Sequence, residues 1–231
     1  MISRREFTLA ALGILGLPYP LLADLHTHSE LSWEDFLSAM QTLSSQYANK
    51  SLSIPGISNR GMKIMQRLGV NSDSFAKTIL DTYESGNQFW LWQRLVKERE
   101  LNGGILHLES QNQVPLHDHP QAIGMLRILS GEAEVWQFDK IATRISSDGT
   151  RQATLQLLSH KILKPGDTAI LTPAKGNIHT IKSITPQCSM LDFFIPPYRK
   201  NERSWYTPIS GGVNKKLIHC KQTPEHEYSL S

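Results

Sequence analysis

Three histidines are the side chains best suited to chemistry in this sequence. His117 and His119 lie two residues apart, and His179 lies on a later segment of the chain. Because side chains two apart on a β-strand point to the same face, both imidazoles of such a pair can reach one metal ion. A lone pair of this kind is often only a surface feature. The turn at Gly131, the turn at residues 165–167 and the third histidine together favour a metal site.

The segments around these histidines alternate between short apolar runs and turns rich in Gly, Pro, Asn and Asp. Many short strands with regular turns are typical of an antiparallel sandwich or barrel. The sequence therefore predicts a mainly β domain over residues 104–231, a barrel with a C-terminal tail. The predicted strands are 105–108, 123–129, 133–138, 153–162, 168–171, 179–184 and 190–195.

Helical periodicity dominates before the barrel. Apolar residues recur at helical spacing from Ser32 to Ala48, and further helices are predicted at 60–68, 74–84 and 89–101. The Pro55-Gly56 pair predicts a loop over residues 51–59. Residues 24–103 are thus interpreted as a helical N-terminal extension.

The first residues have the pattern of an export signal. Arg4 and Arg5 precede an apolar run at residues 8–17, which is typical of a twin-arginine signal over residues 1–23 and predicts a periplasmic or otherwise exported protein. The run is too short to remain as a membrane anchor, so no stable membrane insertion is expected. The alternative is an ordinary amphipathic first helix in a cytoplasmic protein.

Composition excludes several classes of protein. The chain has 231 residues and a net charge of +3, with scattered rather than clustered basic residues, so no nucleic-acid surface is indicated. It has two cysteines, Cys188 and Cys220, and no C-x-x-C pair, which excludes a zinc ribbon and a thioredoxin-like site. Spacing alone leaves open whether the two cysteines form a disulfide.

Three motifs resemble those of one enzyme family. Residues 115–131, residues 176–181 and residues 191–198 resemble, in this order, the three motifs of cysteamine (2-aminoethanethiol) dioxygenases and the related plant cysteine oxidases. The resemblance covers about residues 104–207 and is weak over residues 24–100. It implies a cupin double-stranded β-helix, or jelly-roll barrel. The usual cupin glutamate falls at position 124, where this chain has Gly124, so three neutral histidines remain without a carboxylate.

The resemblance also implies the chemistry. His117, His119 and His179 are expected to hold Fe(II), and a small aminothiol is expected to react with O₂ to give its sulfinate. Asp192 matches a family acidic residue that would orient the substrate amine; the alternative is a strand-end residue that caps backbone N–H groups. Tyr206 is the second expected catalytic residue, as a hydrogen-bond donor in the pocket.

The sequence departs from the family near its C-terminal end and leaves the substrate open. Ser204-Trp205-Tyr206 stands where some members have a Cys-x-Tyr segment whose two ends are crosslinked, and Ser204 has no thiol for such a bond. No arginine cluster for a substrate carboxylate can be placed, which favours cysteamine-like or N-terminal cysteine substrates. A monomer is expected. Two other functions stay open: a non-catalytic cupin that binds a metal or ligand, and a cupin enzyme with a different reaction.

Overall fold

A computed structural model of the chain describes residues 30–84, 88–89, 92–199 and 202–228. The predicted export signal lies outside these residues. Within the described ranges, no helix is both long enough and apolar enough to cross a membrane.

Two antiparallel sheets form the body of the domain. The first sheet has the strand order β1-β2-β3-β10-β5-β8. The second closes on itself in the order β11-β12-β7-β6-β9-β4. The strands are β1 (Gln88–Phe89), β2 (Trp92–Lys97), β3 (Asn102–Glu109), β4 (Gln113–His117), β5 (Ile123–Ser130), β6 (Ala133–Ile145), β7 (Arg151–Leu163), β8 (Thr168–Leu171), β9 (Ile178–Ser183), β10 (Gln187–Ile195), β11 (Ser204–Pro208) and β12 (Leu217–Pro224).

The connections are those of a jelly roll. From β3 to β10 the chain passes back and forth between the two sheets, with only the β6–β7 hairpin staying in one sheet. Side chains of both sheets share one buried cluster, which includes Leu106, Leu126, Val135 and Ile181. A jelly roll buries its two inner faces against each other in this way. The predicted double-stranded β-helix is confirmed.

Three helices cover the outer face of the first sheet. They are α1 (Trp33–Ala48), α2 (Ile54–Arg67) and α3 (Asp73–Glu84). Phe36 of α1 packs edge-on against Phe193 of β10, with ring centroids 5.3 Å apart. Ile105, Met125 and Leu191 belong to the same buried cluster. The helical extension therefore stabilises the sheet that carries the third motif.

The predicted loop at residues 51–59 is wrong. Helix α2 begins at Ile54, and the Ser53 hydroxyl caps it by accepting a hydrogen bond from the Gly56 N–H. Pro55 lies in the first turn, where an α-helix needs no backbone donor, so proline fits there without breaking the helix. Pro55 and Gly56, which were interpreted as a turn, lie in the first turn of a helix.

The predicted helix at residues 89–101 is also wrong. Residues 92–97 form β2, which pairs with β3, and Gly103 and Gly104 lie inside β3 rather than after a helix end. A Cβ atom at Gly104 would lie 2.3 Å from the Gln93 carbonyl oxygen and 2.6 Å from the Trp92 ring. Glycine is required here by the close approach of β2, which explains why a helix-stop signal misled the interpretation.

Both cysteines are buried and free. Cys188 lies in the core between the sheets, whereas Cys220 lies within the second sheet's own cluster. The disulfide left open by the sequence is therefore absent from the described residues.

Candidate metal centre and its cavity

Strand pairing brings two of the three histidines together. His117 ends β4 and lies directly opposite His179 on β9, after an irregularity in the register that follows Val114. Paired side chains on adjacent antiparallel strands lie on the same face, at about 5 Å between Cβ atoms. His119 lies two residues beyond the end of β4, so its position depends on the loop rather than on the strand.

The three imidazoles converge on one point. The Nε2–Nε2 distances are 2.9 Å for His117 and His119, 3.1 Å for His119 and His179, and 3.3 Å for His179 and His117. Imidazole nitrogens that bind a metal at about 2.1 Å and at right angles to one another lie about 3.0 Å apart. A single N–H points in one direction and cannot satisfy two neighbours, whereas a central cation would satisfy all three. The residues therefore fit a metal ion, and the sequence-predicted ligands are the ones that the fold assembles.

The histidines are in the form that binds metals. Burial lowers the pKa of His117 and His119 well below the usual value, and it lowers the pKa of His179 to about 4. All three are therefore neutral near pH 7. The His117 Nδ1–H donates to the Pro115 carbonyl at 2.8 Å, which leaves the Nε2 lone pair directed at the shared point.

His119 is positioned by its backbone and by aromatic contacts. Asn177 accepts a hydrogen bond from the His119 N–H at 2.9 Å and donates one to the His119 carbonyl at 3.1 Å. The His119 ring packs against Phe194 and Tyr198, each with ring centroids 4.5 Å apart. Because Asn177 lies two residues before His179, it couples the first motif to the second. Sequence reasoning missed this role.

No carboxylate joins the three histidines in the part of the chain that the structure describes. A Cβ atom at Gly124 would lie 2.9 Å from Leu171 Cγ and 3.1 Å from Phe194 Cε1. A glutamate at this position would have to displace both side chains. Packing therefore enforces the three-histidine set that the sequence predicts.

A cavity of about 660 Å³ opens beside His117 and His119. Asp192 lies in its wall on β10, in the middle of a strand that pairs on both sides, and not at a strand end. Its half-buried carboxyl lines the cavity, and desolvation raises its pKa to about 8. The alternative of a strand-end cap finds no support, since no hydrogen bond from a backbone N–H to Asp192 is present among the described residues.

An ion pair and aromatic rings form another part of the cavity wall. Arg203 makes two hydrogen bonds to Glu225, at 2.8 and 2.7 Å, and its guanidinium lies 4.5 Å from the Trp205 ring centroid. Trp205 in turn packs 5.1 Å from the His117 ring. Bidentate pairing and stacking hold Arg203 in place, and Glu225 neutralises its charge.

Tyr206 lies outside this cavity. It follows Trp205 on β11, so its side chain points to the opposite face, where it is buried with Phe138 and Cys220. The Tyr206 hydroxyl donates to Asp118 Oδ2 at 2.7 Å, and Asp118 Oδ1 accepts from the Ser204 N–H at 2.7 Å. The expected hydrogen bond into the pocket is not formed in this structure. Tyr206 instead anchors the residue between His117 and His119.

Comparisons with known proteins found similar sequences and similar solved structures. A family model described as PCO_ADO matches residues 70–214. The 2-aminoethanethiol dioxygenase of Mus musculus is 30% identical over 112 residues, covering 41% of this chain and 44% of the mouse protein. Plant cysteine oxidase 2 of Arabidopsis thaliana is 35% identical over 97 residues, covering 41% of this chain and 34% of the plant protein. A Klebsiella pneumoniae protein with a double-stranded β-helix domain has a TM-score of 0.35 at 19% identity, over 46% of this chain and 72% of that one.

The matched regions span less than half of the length of these two curated relatives. The family model nevertheless covers well over half of this chain, including β2 to β11, the three histidines and Asp192. The chain belongs to the PCO_ADO family, which includes cysteamine dioxygenases and plant cysteine oxidases.

Proposed function

We propose that the protein is an iron-dependent thiol dioxygenase that converts a small aminothiol, cysteamine-like or an N-terminal cysteine, to its sulfinate. The observation that carries the proposal is the convergence of three neutral histidines, without a carboxylate, beside a cavity that is lined by His117, His119 and an acidic side chain. His117, His119 and His179 would hold Fe(II). An anionic thiolate supplies the negative charge that a protein carboxylate supplies in other non-haem iron sites.

The protein's own groups prepare the site. The Pro115 carbonyl fixes the tautomer of His117, and Asn177 fixes the backbone of His119. Phe194 and Trp205 line the cavity with apolar surface, which limits water near the reacting sulfur. When bound, iron supplies positions at which thiolate and O₂ meet, and it mediates the transfer of electrons from sulfur to oxygen.

Asp192 would orient the substrate. An ionised carboxylate in a poorly solvated wall makes a strong, charge-assisted hydrogen bond to an ammonium group. An amine held there places the thiol, two carbons away in cysteamine, toward the histidines. Both oxygen atoms of O₂ enter the product, so the thiol RSH becomes the sulfinic acid RSO₂H and no other reductant is consumed.

A panel of thiols tests the proposal. Protein loaded anaerobically with Fe(II) should consume O₂ when cysteamine or a peptide with N-terminal cysteine is added, and sulfinate should accumulate in equal amount. Full iron loading without sulfinate from any thiol would contradict the proposal and favour a non-catalytic, ligand-binding cupin. Conversion of a substrate that has no thiol would favour a cupin enzyme of a different reaction.

We also propose that the protein is exported through a twin-arginine signal at residues 1–23. Arg4 and Arg5 before the apolar run support this. Changing both arginines to lysine should retain the precursor in the cytoplasm, because that export route reads the paired arginines. Cell fractionation with an antibody checks the result, and an Arg60→Lys variant is the control. Uncleaved wild-type protein in the cytoplasm would contradict export without affecting the chemistry.

A further inference from the structure

The cavity holds one guanidinium whose charge no described residue neutralises. Arg94 lies on β2 and is half-buried, and its Nε atom is buried without a hydrogen-bond partner. Its guanidinium carbon lies 5.7 Å from the centroid of the Trp92 ring. Arg203, in contrast, is paired with Glu225. A partly buried cation without a close counter-charge attracts anions, so this position favours an anionic ligand.

Strand register places Arg94 and Asp192 on the same face of the first sheet. Arg94 lies opposite Gly104, and Gly104 lies opposite Asp192 on the other side of β3. Two strand spacings separate the Cα atoms of Arg94 and Asp192 by about 10 Å. Gly104 has no side chain between them, and the Trp92 ring lies against its backbone. A cation and an acid therefore flank one short stretch of cavity wall.

The lining of the cavity places Arg94 and the histidines around one space. Arg94, Asp192, His117 and His119 all line the cavity of about 660 Å³. A ligand in this cavity can therefore contact both the Arg94 guanidinium and the histidine site.

We propose that Arg94 is a specificity residue that binds the carboxylate of an α-amino thiol such as free cysteine. This inference rests on the proposed function, and it changes the preferred substrate from cysteamine-like thiols to free cysteine. Free cysteine carries a thiol, an amine and a carboxylate on adjacent carbons, which match the histidine site, Asp192 and Arg94. Guanidinium groups bind carboxylates through paired, charge-assisted hydrogen bonds. The order of preference is then the reverse of the one expected from the sequence, in which no arginine could be placed near the thiol.

Binding measured without O₂ tests this directly. The iron-loaded protein is titrated anaerobically with cysteine, cysteinamide and cysteamine, and tryptophan fluorescence is followed, since Trp92 and Trp205 line the cavity. Cysteine should bind most tightly. Arg94→Gln should weaken cysteine binding roughly 10- to 100-fold and change cysteamine binding less than about twofold. Cysteinamide, which lacks the negative charge, should be affected about as little as cysteamine.

Two further variants test whether the effect depends on the paired donors of Arg94 and on its position in the cavity. Arg94→Lys keeps the charge without the paired donors and should retain part of the preference for cysteine, which also covers the case that Arg94→Gln does not fold. Arg151→Gln removes an equal charge at an exposed side chain on β7, away from the cavity, and it should leave the ratio of cysteine to cysteamine affinity unchanged.

The outcomes separate this inference from the proposed function. Equal losses for cysteine and cysteamine, or no loss for either, would overturn the role of Arg94. An equal loss for cysteinamide would also overturn it, because Arg94 would then recognise a carbonyl rather than a carboxylate. Binding of cysteine that depends on Arg94, without any sulfinate in air, would contradict the dioxygenase proposal and leave the carboxylate subsite standing.

Discussion

Replacing His179 by alanine should leave the protein without tightly bound iron. The site has three imidazole donors, with Nε2 atoms 2.9 to 3.3 Å apart, and no described carboxylate is placed to substitute for a missing one. Even loss of a group that only orients a ligand typically weakens metal binding tenfold to a hundredfold, so loss of a ligand should cost more than about a hundredfold. Metal content per chain after dialysis against a chelator measures the effect, and His117→Ala should give the same result.

A matched control separates ligand loss from general damage. His219 on β12 is exposed, its Nδ1 lies 3.1 Å from the Thr154 hydroxyl, and it is not part of the histidine cluster. His219→Ala should retain iron as the wild type does. Thermal melting should show that all three variants remain folded. Full iron retention in both His117→Ala and His179→Ala would remove the basis of the metal site.

Asp192→Asn should keep iron but lose preference for thiols that carry an amine. The variant removes the charge that strengthens a hydrogen bond to an ammonium group, while the size of the side chain stays nearly the same. Loss of one such interaction typically costs about 1.5–3 kcal/mol, or roughly ten- to a hundredfold in the specificity constant. Steady-state O₂ consumption with cysteamine, compared with an amine-free thiol of similar size, measures it.

The pH dependence gives a second readout for Asp192. Its pKa is raised to about 8 by burial, so in the wild type the ionised fraction grows as the pH rises toward 8. Preference for the amine-bearing thiol should grow over the same range, and it should stay flat in Asp192→Asn. Asp81→Asn, an exposed change on α3, is the control. Equal losses for both thiols would show that Asp192 has only a structural role.

Local sequence patterns were sufficient to predict the parts of the structure that depend on one pair of strands or on one turn. The pairing of His117 with His179 follows from two strands whose apolar runs and turns are visible in the sequence. His119 is different, because it lies past the end of β4. Its position depends on the amide of Asn177, a contact between residues 58 positions apart. The residue types of the site were thus predictable, whereas the contacts that orient them were not.

The prediction from hydrophobic periodicity failed for β2, because both faces of this strand are covered. In β2, Gln93 faces the helices and donates to the Ile79 carbonyl at 2.9 Å, while Trp92 and Arg94 face the cavity. With partners on both sides, the alternation that marks a strand disappears. Because these residues were predicted to form a helix, Arg94 was not predicted to line the cavity. Its position there depends on the pairing of β2 with β3. Similarly, Tyr206 was expected in the pocket, but Trp205 takes that face of β11.

The fate of labelled O₂ tests the central claim most directly. Iron-loaded protein is given cysteamine or cysteine under isotopically labelled O₂ in unlabelled water, and the product is examined by mass spectrometry. We expect a sulfinate in which both oxygen atoms carry the label, with one O₂ consumed for each thiol. A sulfinate with one unlabelled oxygen, or a disulfide as the sole product, would contradict it.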